Sequence, residues 1–120
     1  MSEYITKNFK KKEFSCACCG LDNIEQELVE KLQELRMEYG SPMNITSGVR
    51  CRSHNRAIGG AENSSHLFSV AADVAMDDAI LRHRFIRTAL AMDWKRVGIA
   101  KTFVHLDIDT RKTSPVIWTY

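Results

Sequence analysis

KRVGIAKTFVHLDID, residues 95–109, is the stretch on which the fold turns. KRVGIA and TFVHLDID read as two strands with a short turn around Lys101 between them, the pattern of an antiparallel hairpin. Residues i and i+2 of a strand point to the same face, so His105 and Asp107 share a side, with Asp109 one step farther along it. Working outward, SVAADVAM (69–76) reads as a buried strand. PMNITSGVR (42–50) reads as a short strand running into a turn at Gly48, and PVIWTY (115–120) as a last edge strand. DNIEQELVEKLQELRMEYG (22–40) has helical spacing: Asp22 or Asn23 serves as cap, acids crowd the first turn and Gly40 follows the end. Its Ile24, Leu28, Leu32 and Leu35 form a core stripe. DDAILRHRFIRTALAM (77–92) is a second helix, starting at Asp77 or Asp78, with Ile80, Leu81, Phe85 and Leu90 as the expected packed positions. CRSHNRAIGGAENSSH (51–66) is polar and turn-rich around Gly59 and Gly60: mostly loop, opening with a short helix. Sequential strands with helices to one side predict an α+β fold, an antiparallel sheet with helices packed on one side.

The chain has 120 residues, enough for a single domain over 1–120, and shows no internal repeat or linker. Its 44% hydrophobic and 27% charged residues are ordinary for a soluble globular protein. A net charge of +2 is too small to argue for nucleic acid, and the basic residues are scattered without aromatic interleaving, so no nucleic-acid partner is expected. No apolar run approaches the roughly 18 residues that span a bilayer, so no membrane insertion is expected. MSEYITKNFKKKEF lacks the apolar core and cleavage site of a signal peptide, so synthesis in the cytoplasm is expected. Composition is silent on oligomeric state.

Four cysteines, Cys16, Cys18, Cys19 and Cys51, include three crowded into CACCG. In a reducing compartment the default reading is free, partly buried thiols. The alternative is a small structural zinc site with Cys51 as a distant fourth ligand, although CxCC plus one lone cysteine departs from the usual two spaced pairs.

Three residues stand out as candidate ligands of a catalytic metal. His66 lies in a loop leading to a strand, Asp73 on that strand and His105 inside the apolar strand FVHLDI. Two imidazoles and a carboxylate with an open fourth position suit catalytic zinc. Taken one at a time, a strand histidine is more often a satisfied core or surface residue, and Asp73 suits a turn.

The order of motifs carries more than any one of them. SSHLFSVAAD (64–73) resembles the S-x-H-x-x-G-x-A-x-D motif of the M15 family of zinc D-Ala-D-Ala carboxypeptidases and related peptidoglycan peptidases. Ser64, His66, Ala71 and Asp73 match it, and Ser69 replaces the glycine. ITSGVRCRSHNRAIGGA resembles that family's S-G-x-R segment followed by H-N, RVGIAKTFVHLDID its downstream F-V-H-x-D block, and NFKKKEFSCACCG the start of its small single-domain members. The resemblance covers nearly the whole chain. It implies a hedgehog or D-Ala-D-Ala carboxypeptidase-like fold and Zn2+ held by His66, Asp73 and His105. It implies that Arg50 contacts a substrate carbonyl or carboxylate. It implies a peptidase acting on peptidoglycan stem peptides, as a D-Ala-D-Ala carboxypeptidase or an L-Ala-D-Glu endopeptidase. Such an enzyme acts on the cell wall after release, or as a phage or prophage product. Many members carry Glu or Asp three residues before the last zinc histidine. Here that residue is Thr102, which cannot act as a base, and this favours an alternative: an inactive metal-binding module of a virion or tail. The nearest acid is Asp107, placed to serve as general base or to orient a ligand; Asp109 is the poorer candidate. Ser64 either bonds substrate or stiffens the loop, and His54 is either a substrate contact or a solvated loop residue. His83 is expected to be exposed. Trp94 and Trp118 are expected to pack in the core or at an edge, with a sugar-binding groove as their other use.

Overall fold

In a computed structural model that describes residues 3–120, five strands form one sheet among the described residues. They are β1 (Ile45–Ser47), β2 (Ala71–Ala75), β3 (Arg96–Ile99), β4 (Phe103–Asp107) and β5 (Val116–Thr119), in the order β1-β2-β4-β3-β5. The predicted hairpin is present: β3 and β4 pair antiparallel with Gly98 opposite His105, and the Ala100 amide donates to the Phe103 carbonyl across the turn. β4 also pairs antiparallel with β2, and β2 with β1. PVIWTY does add an edge strand, but β5 runs parallel to β3, so the sheet is mixed at that edge. The fold is α+β, as expected.

Strand alternation divides the sheet into two faces. Ala72, Val74, Val97, Val104 and Leu106 point to one side and are buried in a single core. That core is completed by Leu28, Val29, Leu32 and Leu35 of α1 (Gln26–Tyr39) and by Phe85 and Ala89 of α3 (Ala79–Ala91). The opposite face carries Asp73, His105 and Asp107. A short α2 (Arg52–Ala57) opens the polar loop, as its sequence suggests.

Both long helices depart from the sequence reading in detail. α1 begins only at Gln26, after Glu25, and neither Asp22 nor Asn23 caps it. The Glu25 amide donates to the Ser69 carbonyl, and the Asn23 carboxamide oxygen accepts from the Ser69 hydroxyl, so this segment is tied to the loop before β2. The Gly40 end is as read, with a left-handed φ of 78° that glycine adopts without penalty. In α3, Asp78 is the cap, accepting from the amides of Ile80 and Leu81. Of the four expected packed residues only Phe85 is buried; Ile80 is 82% exposed, and Leu81 and Leu90 are also at the surface. The buried stripe runs through Phe85 and Ala89 instead. Phe85 packs edge-on against Tyr39, and Arg84 lays its guanidinium over the same Tyr39 ring. Trp94 is buried in the core and His83 is exposed, as expected.

One glycine decides how the N-terminal segment docks. A Cβ on Gly48 would lie 2.6 Å from the Phe14 carbonyl oxygen and 2.7 Å from its Cα. The obstacle is backbone, which cannot rotate away. Gly48→Ala is therefore expected to destabilise the protein by about 1–3 kcal/mol, as overpacking does. A shift of the urea midpoint measures it, and an unchanged midpoint would mean that the segment is free to move aside.

Candidate metal centre

One transverse row of the sheet places the site. Ser47 sits opposite Asp73, Asp73 opposite His105, His105 opposite Gly98 and Gly98 opposite Trp118. The absence of a side chain on Gly98 lets the Trp118 indole lean inward; a Cβ there would lie 2.6 Å from its ring. The indole comes to rest 5.3 Å from the His105 ring.

His66 arrives from outside the sheet. It lies on a short 3-10 turn, Ser65–Phe68, whose first amide is capped: the His66 N–H donates to the Ser64 hydroxyl at 3.2 Å. The turn ends at Ser69, whose φ of 62° lies in the left-handed region. The family motif has glycine here, and the conformation explains why. The serine is held in it by its own hydrogen bond to Asn23.

The structure brings His66, Asp73 and His105 together, with ligand atoms within 4.8 Å of one another and all three side chains buried. The Gly48 carbonyl sets the His66 tautomer, while His105 meets a carboxylate at each ring nitrogen. His66 Nδ1 lies 2.7 Å from the Gly48 carbonyl, which can only accept, so Nδ1 carries the proton and the Nε2 lone pair faces Asp73 Oδ1 at 3.2 Å. His105 Nε2 lies 2.7 Å from Asp107 Oδ2, and its Nδ1 faces the same Asp73 oxygen at 2.9 Å. With both imidazoles neutral, two nitrogen lone pairs and a carboxylate oxygen converge on one point. That donor set, with its outer nitrogens satisfied, is what a divalent cation requires.

Protons on the same two imidazoles would compete with a cation for this point. Burial opposes the Asp73 anion, but the hydrogen bonds from His105 and His66 outweigh it and hold the carboxyl well below its usual range. Burial likewise disfavours protonated His105, yet Asp107 and Asp73 reverse this and raise its pKa.

Arg50 completes the cluster. Its guanidinium is held by three partners: Nε donates to Ser47 Oγ at 3.1 Å, Nη1 to Asn55 Oδ1 at 3.2 Å and Nη2 to Asp73 Oδ2 at 3.4 Å. Buried Asn55 is fixed in turn by donating to the Ala61 carbonyl at 2.8 Å. Asn55 is the asparagine of the H-N pair that the sequence displayed without a role.

Asp107 sits behind His105, on the ring nitrogen farther from the cluster. Its Oδ1 accepts from Arg96 Nε at 2.7 Å and from the Asp109 amide at 3.0 Å, and Arg96 lies under the Trp118 ring. Of the two roles open to Asp107, these contacts suit the orienting of His105. Asp107→Asn is expected to keep the fold and weaken metal affinity or turnover by about 10–100-fold, because the amide can present a donor to Nε2 and disturb the tautomer. Calorimetric metal titration alongside kinetics measures this; wild-type affinity and turnover would remove the role.

The other expected site residues lie as follows. Ser64 is buried, and its hydroxyl accepts from the His66 amide at the head of the turn. His54 lies on α2, where its amide donates to Cys51 Sγ, and its ring makes no hydrogen bond to His66, Asp73 or His105. Asp109 is buried, accepting from Ser65 Oγ at 2.7 Å and from Arg111. Those bonds, led by Arg111, hold the Asp109 carboxyl well below its usual range. A depressed folded-state pKa contributes stability above the unfolded value near 3.8 and loses it as pH falls through the folded one. Asp109→Asn is thus expected to lower stability at pH 7 and to flatten its fall below about pH 4. Urea midpoints across that range test it, and parallel pH profiles for the two proteins would contradict it.

Three contributors were not singled out from sequence: Ser47, Arg96 and Tyr120. The Tyr120 ring packs 5.2 Å from Phe103 and 6.4 Å from Trp118. Burial raises its pKa, with the Asp73 anion adding and the Arg50 cation opposing, so its hydroxyl stands within the field of the cluster. Strand parity with Trp118 was the only signal that could have found it.

A mixed α+β sheet that presents two imidazoles and a carboxylate beside an anchored arginine defines a small metallopeptidase. The family model described as Peptidase M15 matches residues 7–107, and the chain belongs to that family of peptidases. No curated protein matched the chain. No helix among the described residues is long and apolar enough to cross a membrane.

Proposed function

We propose that the protein is a zinc-dependent peptidase that hydrolyses peptide bonds in peptidoglycan stem peptides. The observation that carries the metal is the convergence of His66 Nε2, His105 Nδ1 and an Asp73 oxygen, with Gly48 and Asp107 occupying the outer imidazole nitrogens. Imidazole and carboxylate in this ratio suit zinc with a position left open for reaction. When bound, zinc supplies Lewis acidity that polarises a carbonyl and acidifies water.

The chain's own residues do the rest. Gly48 and Asp107 hold the outer nitrogens of His66 and His105, so neither ring must reorient when substrate arrives. Arg50 offers a cation beside the cluster for the charge that builds on a carbonyl oxygen, or for a peptide carboxylate. Its three anchors mean that little ordering remains to be done in the transition state. Trp118 and Tyr120, half-buried and exposed respectively, border the cluster on the β5 side and offer an apolar wall to the substrate. The stem-peptide assignment rests on the order of the three motifs.

The experiment is mass spectrometry of purified muropeptides incubated with the protein, with and without a chelator. Chelator-sensitive release of D-alanine, or cleavage between L-alanine and D-glutamate, is expected. A specific observation favours a second reading, a metal-binding module without activity: Thr102 stands in place of the acid, and Asp107 and Asp109 are committed to His105, Arg96, Ser65 and Arg111. Bound zinc with every stem peptide left intact would select that reading.

A further inference from the structure

We propose that Cys16, Cys18, Cys19 and Cys51 bind one structural zinc ion, separate from the cluster on the sheet. The four Sγ atoms lie within 4.8 Å of one another. Cys18 Sγ is 3.7 Å from Cys16 Sγ and 3.2 Å from Cys51 Sγ, and all four cysteines are free. A zinc ion with four Zn–S bonds of about 2.3 Å has sulfur–sulfur edges of about 3.8 Å. These two pairs lie just inside that edge, and no pair is farther apart than 4.8 Å. A disulfide would join one pair and leave the other two sulfurs crowded beside it, whereas a tetrahedral ion uses all four.

Backbone amides favour two of the four ligands, Cys16 and Cys51, as thiolates. The Cys51 amide donates to Cys16 Sγ at 3.4 Å, and the His54 amide, at the head of α2, donates to Cys51 Sγ at 3.4 Å. The 16–19 turn is closed by the Gly20 amide donating to the Cys16 carbonyl, with Gly20 in the left-handed region. Spacing in the sequence undersold the site because the fold supplies the fourth ligand.

The ion's position gives it a purpose. It ties the N-terminal segment to the residue after Arg50. On the same seam the Val49 amide donates to the Phe14 carbonyl at 2.8 Å, with Gly48 against the Phe14 backbone. Gly48 supplies the carbonyl behind His66, and Arg50 supplies the guanidinium on Asp73. The cysteine ion therefore clamps the strand-to-helix connection that positions both, and it does so whatever reaction the sheet cluster performs.

The test uses the full chain carrying His66→Ala and His105→Ala, produced with zinc and purified under reducing conditions without chelator. About one zinc per chain is expected by elemental analysis. The four thiols should resist a thiol reagent until chelator is added. Exchange into cobalt should give a thiolate-to-cobalt charge-transfer band, and Cys18→Ser in this background should abolish it. Should Cys18→Ser fail to fold, the cobalt spectrum of the histidine double variant still decides. A metal-free double variant with four freely reactive thiols overturns the proposal. So does cobalt bound without that band, or a cysteine–cysteine linkage in protein from a reducing cytosol.

Discussion

His105→Ala should lose the metal of the sheet cluster and all measurable peptidase activity while the protein stays folded. His105 sits in the middle strand of the row and is the one side chain that links the Asp73 oxygen to Asp107. Its removal leaves two ligand-type groups, too few for a zinc site of three protein ligands. The fold survives because each stranded carboxylate keeps an arginine: Asp73 retains Arg50 and Asp107 retains Arg96. Unsatisfied partners cost about 1–3 kcal/mol, within the usual margin of a domain this size. Elemental analysis distinguishes the two metals: if the cysteine ion is present, one equivalent remains and only the second is lost. Full occupancy and wild-type turnover in His105→Ala would remove His105 from the site.

Legibility in the sequence followed the locality of the interactions. The hairpin could be read because TFVHLDID carries its own alternation, and α1 because its leucine stripe repeats every turn. The start of α1 could not, because the loop at Ser69 engages the Glu25 amide and Asn23 side chain, and Ser69 lies over forty residues away. The buried face of α3 was misplaced because hydrophobicity favoured Ile80, while the Tyr39 ring meets Phe85 and the Arg84 guanidinium. At the site, parity put His105 and Asp107 on one face, yet parity cannot say which imidazole nitrogen a carboxylate meets. The answer lies in Arg96, opposite Asp107 on the neighbouring strand, which draws that carboxylate behind the ring.

Arg50→Ala should cut kcat by about 10²–10³-fold, equivalent to about 2.7–4 kcal/mol, if Arg50 serves the oxyanion. Metal content should remain, because Arg50 meets only the Asp73 oxygen turned away from the imidazoles. Arg50→Lys should recover little: an ammonium cannot reach Ser47, Asn55 and Asp73 together, and the planar fork that faces substrate is lost. The kinetic parameter that changes identifies the group that Arg50 serves. An arginine that holds the developing oxyanion acts only in the transition state, so kcat and kcat/KM fall together. An arginine that grips a substrate's terminal carboxylate binds ground and transition states alike, so KM rises and kcat stands. A fall in kcat on an internal bond therefore assigns Arg50 to the reacting carbonyl. A rise in KM with kcat unchanged assigns it to a substrate carboxylate. Wild-type kcat and KM on every substrate would exclude Arg50 from both roles.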